Sequence, residues 1–185
     1  MSTNIPTKII VHHTGGSAID PLQDSSNFTF DQCNEQHRIS FNLKSSLGFY
    51  IGYHYYISKD GTIKQGRLDT DEGAHTIGQN LSSLGICLAG NFDATLPTQA
   101  QIATLTTFLV QKSKQYNITS ENVFPHRHFA AKTCYGNKLG DSWAADLLRK
   151  AIQVIPPVMG LTREQRISKA MALIAEAADL LKGLN

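Results

Sequence analysis

The chain has 185 residues, 41% of them hydrophobic and 17% charged, and a formal net charge of +2. This balance suits one globular domain with a short appendage, and it excludes a collagen-like or strongly charged disordered chain. It offers neither the Lys/Arg density of a nucleic-acid binder nor an apolar run long enough to span a bilayer, so neither kind of partner is expected.

The amino terminus "MSTNIPTKIIV" has no basic leader followed by a long apolar stretch, so no signal peptide is expected and the chain should be made and folded in a cytoplasm. The first strand is predicted from Lys8 to His12, ended by "TGG". After the polar stretch "SAIDPLQDSSN", Thr29 with Gln32 three residues later forms a capping-box start for a short helix. "IGYHYYISKDGTIKQGR" predicts a hairpin, because Asp-Gly sits between aromatic and β-branched runs. "LGICLAGNF" is short, apolar and bounded by glycines, as expected of a buried central strand. Ile102, Leu105, Phe108 and Leu109 recur at helical spacing up to about Tyr116, with Pro97 near the start. "ENVFPHRHF" returns to extended chain, and Ser142 to Ile152 predicts a helix with Trp143, Leu147 and Leu148 inward.

The order β-α-ββ-β-α-β-α predicts an α/β domain: a mixed central β-sheet flanked by helices, spanning residues 1–155. The two prolines of "IPPVMG" break the chain at 156–161, a linker. Residues 162–185 then predict a C-terminal amphipathic helix capped by Thr162 and Gln165. Ile167, Ala170, Ile174, Ala177, Leu181 and Leu184 follow a/d spacing, with Met171 and Ala178 alongside. Docking onto its own domain and self-association through that stripe compete here; alanines and short length weaken the second. Near-balanced charge weakens a third reading, attachment to the cell envelope.

Three cysteines, odd in number and far apart, argue against a disulfide framework and leave a thiol free for another task. Seven histidines include the groups "HHT", "GYHYY" and "PHRHFAAKTC". Imidazole and thiolate are preferred zinc ligands, and a catalytic zinc usually keeps three protein ligands and one open position. His126 or His128, with Cys134 downstream, supplies two; His12 or His13 at a strand end supplies a third. Neighbouring strand residues face opposite ways, so only one of His12 and His13 serves. Spacing does not say which. Cys33 and Cys87 lie in apolar settings and are expected to pack as small hydrophobes.

"IIVHHTGG", "GFYIGYHYYISKDGTIKQGR", "GAHTIGQNLSSLGICLAGNFD", "LPTQAQIATL" and "PHRHFAAKTC" occur in this order over roughly residues 7 to 152. Together they resemble zinc-dependent N-acetylmuramoyl-L-alanine amidases of the phage-lysozyme and peptidoglycan-recognition-protein type. The resemblance implies that fold, with Zn2+ as cofactor and peptidoglycan as substrate. It implies His12, His126 and Cys134 as zinc ligands, the second histidine lying eight positions before the cysteine. It implies Tyr53 beside the metal, Lys132 as the cation that stabilises the developing oxyanion, and His37, His75 and Asn80 as contacts to the muropeptide. His13, His54 and His128 are left with structural tasks. The implied reaction cleaves the amide between N-acetylmuramic acid and L-alanine, as a phage endolysin reaching the wall from the host cytoplasm after release. Two alternatives stand beside it. One is a muropeptide-recycling amidase of the cytoplasm, in which an aspartate usually replaces the cysteine. The other is a non-catalytic module that binds peptidoglycan or regulates a partner protein.

Overall fold

The computed structural model describes residues 3–153 and, beyond them, positions 162, 164, 165, 167–169, 171 and 172. Five strands form one mixed sheet: β1 (Lys8–His13), β2 (Tyr55–Ile57), β3 (Ile63–Gln65), β4 (Ser83–Leu88) and β5 (Val123–Pro125). Their order across the sheet is β3-β2-β4-β1-β5; β1 lies parallel to β4 and β5, and only β2–β3 is antiparallel. Helices α1 (Phe30–Ser40), α2 (Gln99–Tyr116) and α3 (Trp143–Gln153) flank it.

Pleat alternation sorts β1 and β4 into two faces. Ile9, Val11, Leu84, Ile86 and Leu88 face α2 and α3 in the larger core with Leu105, Phe108, Leu109 and Leu148. Cys87 faces the other way, with Phe30 and Cys33 of α1, Ile51, Tyr56 and Ala89. Each such buried Leu, Ile or Phe contributes about 1.5–3 kcal/mol. The three cysteines are free and buried.

Local chemistry sets the helix starts. Thr29–Gln32 and Thr98–Gln101 both form complete capping boxes, and Asn117 ends α2 in the left-handed conformation. The hairpin is shorter than expected, three residues on each side, because β3 is an exposed edge with little to pack against. In α3, Ala144, Ala145 and Leu148 take the buried positions while Trp143 and Leu147 pack at the rim. The small side chains let the helix approach the core more closely than the large ones could. In the C-terminal segment, Thr162 and Gln165 pair as a capping box, Ile167 is buried and Met171 packs beside it. The linker 156–161 and Ala170, Ile174, Ala177, Ala178, Leu181 and Leu184 lie outside the described residues, and with them most of the self-association stripe.

Candidate active site

His12 lies on β1 opposite Cys87 of β4, on the face away from α2 and α3. His126 follows β5, β1's other parallel neighbour, at the start of a single 3-10 turn, His126–His128. Cys134 arrives on the loop after that turn. The ligand-type atoms of these three residues lie within 4.8 Å of one another, and all three residues are buried. Cys134 Sγ is 3.8 Å from His12 Nδ1, and the His12 and His126 ring centroids are 4.4 Å apart. Tetrahedral zinc with N and S ligands holds neighbouring donors about 3.3–3.6 Å apart, so the donor set fits that ion once its separations close by at most about 1.5 Å.

His13 is turned to a different task. Its Nδ1 accepts the Phe92 N–H at 3.0 Å, and its backbone N–H points at Cys134 Sγ, 3.4 Å away. His128 is exposed and stacks on Phe124. Between each pair of histidines that spacing left open, the fold thus brings His12 and His126 to Cys134.

His12 has a partner on its other side. Its Nε2 lies 3.1 Å from His75 Nδ1. His75 Nε2 in turn faces Ser83 Oγ at 3.5 Å, and that hydroxyl donates to the Gln79 carbonyl at 2.7 Å. The arrangement needs Gly85 on β4: a Cβ there would sit 2.5 Å from the His75 ring. Tyr53 packs its ring at a tilt against both His12, centroids 4.9 Å apart, and His37, 5.2 Å apart. His37 Nδ1 accepts the Gly52 N–H at 2.7 Å, which places its proton on Nε2.

A cleft of about 550 Å³ opens over this floor, lined by His37, Phe41, Tyr53, His75, His126 and Lys132 among others. Lys132 is exposed on the rim. Asn80 does not line the cleft; its Oδ1 accepts the backbone N–H groups of His75 and Thr76, holding the turn that presents His75. His54 is fully buried between the Gly85 N–H and the Asp71 carbonyl, a structural position.

Burial sets the proton states. It holds the His12 imidazole well below its ordinary value, helped by His75 and His126, and brings His126 down to about 4, helped by Lys132. Both rings are neutral at physiological pH, with lone pairs available to a cation. Burial pushes the Cys134 thiol up to about 12 and the Tyr53 phenol well above 10. Tyr53 is therefore a hydrogen-bond donor and not a base near neutrality.

Two residues absent from the sequence reading hold the Cys134 loop. Arg127 donates to the carbonyls of Thr133, Gly136 and Leu139 and to Asp141. Asp93, on the cleft wall, accepts from Thr133 Oγ1 at 2.7 Å and Asn137 N at 2.8 Å. Their positions inside the motifs "PHRHFAAKTC" and "GAHTIGQNLSSLGICLAGNFD" were the available signal; their partners are visible only once the loop is folded.

The sequence model of the family Amidase_2, N-acetylmuramoyl-L-alanine amidase, matches residues 2–137. Among curated proteins, the endolysin of Klebsiella phage KP32 is 36% identical over half of this chain, which spans 64% of that endolysin's length. Peptidoglycan-recognition protein SD of Drosophila melanogaster is 29% identical over 75% of this chain and 72% of its own. Among solved structures, the N-acetylmuramoyl-L-alanine amidase LysC from Clostridium intestinale URNW is 28% identical with a TM-score of 0.62, covering 80% of this chain and 85% of that one.

Proposed function

Because the chain belongs to the N-acetylmuramoyl-L-alanine amidase family, we propose that it is a zinc-dependent peptidoglycan amidase that cuts between the lactyl group of N-acetylmuramic acid and L-alanine. The observation that carries this reading is the meeting of His12, His126 and Cys134, from separate parts of the chain, where His126 and Cys134 line an open cleft and His12 lies buried against them. Two neutral imidazoles and one thiol are the donor set of a catalytic zinc site.

Zinc bound there would supply Lewis acidity, activating water near neutral pH and polarising the scissile carbonyl. The chain's own groups do the rest. Cys134 gives up its proton on metal binding, which makes metal affinity rise with pH. His12 turns Nδ1 toward Cys134 and would hold the metal through it; its proton would then sit on Nε2 and donate to His75 Nδ1, fixing ring and tautomer. The His75 proton is then on Nε2, facing Ser83. Lys132 brings a flexible cation over the cleft to the carbonyl oxygen as negative charge develops there. Tyr53, held neutral, walls the site against His12. His37 offers Nε2–H to the substrate.

The setting that agrees with the phage relatives is lysis: the enzyme reaches the wall once the membrane has been opened. Among the described residues no helix is long and apolar enough to cross a membrane. Likeness to peptidoglycan-recognition proteins favours a second reading, recognition without cleavage; the complete His/His/Cys set supports the enzyme instead.

The test is digestion of purified sacculi with mass-spectrometric identification of the new ends. Free amino groups on L-alanine, lost on chelation and restored by zinc, are expected. New reducing sugars, or binding without any new end, would overturn the proposal.

A further inference from the structure

We infer that Arg127 is a positioning residue that locks two of the three proposed zinc ligands to each other, and that it thereby sets the metal affinity of the site. The inference rests on the zinc reading for its consequence, but its geometry stands apart from it. Arg127 follows His126 directly in the 3-10 turn, so its backbone moves with that ligand. Its N–H donates to the Cys134 carbonyl at 2.6 Å. Its guanidinium reaches across the loop carrying Cys134: Nη1 donates to the carbonyls of Gly136 at 2.8 Å and Thr133 at 3.3 Å, and Nη2 to that of Leu139 at 2.6 Å. The plane also lies over the Tyr135 ring, 5.4 Å from its centroid.

Carbonyl oxygens gathered around one cation define a loop shape. Residues 133–139 have no helix or strand bonds of their own. Two turn bonds, Gly136 N–H to the Thr133 carbonyl and Leu139 N–H to the Gly136 carbonyl, and one from Lys138 N–H to the Phe92 carbonyl hold the loop, and to these is added the rigid fork of an arginine, whose donors have fixed directions. The fork spans the residues on both sides of Cys134, so the thiol is held from before and behind. Asp93 grips the same loop from the opposite side through Thr133 and Asn137. The ion pair with Asp141 is the lesser part, because Asp141 is 79% exposed and water screens it.

A lysine at this position keeps the charge but reaches at most part of the carbonyl set. Partners that orient a metal ligand typically govern about 10–100-fold in affinity. Arg127→Lys and Arg127→Ala are therefore expected to weaken zinc binding by about that factor, read by competition with a chromophoric chelator. Asp141→Asn and Arg149→Ala, the latter removing an arginine on α3 paired with Asp146, should leave it near wild type.

Hydrogen exchange on the zinc-free proteins supplies the second readout. Arg127→Lys should speed amide exchange across residues 133–139 while β1 and β4 keep their protection, which also shows that the variant is folded. Unchanged zinc affinity and unchanged loop exchange in Arg127→Lys would overturn the inference. If the wild-type chain takes up no zinc, the metal reading falls, and loop exchange alone then decides whether Arg127 is the strut.

Discussion

Cys134 and Lys132 sit two positions apart yet are expected to fail in different ways. Cys134→Ser replaces a thiolate with a poor zinc ligand, so both zinc content and activity should collapse. A first ligand matters more than the groups that orient it, so the loss in activity is expected to exceed ~100-fold. Lys132→Ala removes a cation that touches no ligand atom in the described contacts. Zinc content should stay, while kcat drops by about 10²–10³ with KM nearly unmoved, as for loss of one oxyanion donor. Steady-state kinetics on soluble muropeptide, paired with metal analysis, separates the two; an equal loss of zinc in both variants would deny Lys132 its assigned part. That His12, His126 and Cys134 could meet was legible in the sequence because chemistry restricts metal ligands to few residue types. Arg127 was not, since an arginine on a loop reads as surface until the carbonyls around it are known. Asn80 was legible as a residue of the site's neighbourhood, but not that its carboxamide is spent on the backbone of the His75 turn.

At the scale of elements, β4 shows how a strand serves a site it does not itself enter. Gly85 leaves the space that the His75 ring occupies beside His12. Gly85→Ala should displace that ring, costing about 1–3 kcal/mol of stability by overpacking and lowering zinc affinity through a misoriented His12. Thermal unfolding with and without zinc checks both; a variant less stable but with unaltered metal affinity would mean that His75 does not orient His12. The start of α1 is legible in the sequence, because a Thr with Gln three residues on is a local device that owes nothing to tertiary structure; the same device at Thr98–Gln101 opens α2, where Pro97 was the sequence signal. The inward face of α3 is wider than the large residues alone suggest. Trp143, Leu147 and Leu148 do pack inward, Leu148 fully buried; the sequence does not show that Ala144 and Ala145 are buried beside them, because how near a helix lies to its neighbour is not a local property. The hairpin around Asp60–Gly61 is legible from its turn, while the short length of its strands reflects an exposed edge that the sequence does not reveal.

For the molecule as a whole, stability should depend on pH through groups kept neutral or ionised by the fold. Burial holds His13, His37 and His54 down to about 4. In the unfolded chain each takes up its proton near 6.5. Acid therefore favours the unfolded state: the contribution is complete above pH 6.5 and is lost as pH falls toward 4. Asp69 works in the same direction at lower pH. Burial alone would raise its carboxyl, but bonds from Lys112, Tyr55 and Tyr116 outweigh that and hold it below the usual range. The urea midpoint of chelated protein is expected to decline steadily from pH 7 to pH 4.5; a flat profile would contradict the buried neutral histidines. Zinc should add its own increment, about 2.7 kcal/mol when present at 100 times its Kd.

The sheet divides the molecule into a side where α2 and α3 pack and a side where the cleft opens. The proposed substrate is not a dissolved molecule but an insoluble mesh, which the catalyst must meet mouth-first. A tether attached at exposed Lys114, in the last turn of α2, would hold the protein by its back and leave the mouth facing outward. Anchoring through the rim lysine at position 132 would blind it, so the direction of immobilisation should decide whether a coated surface clears bacterial debris or merely carries protein.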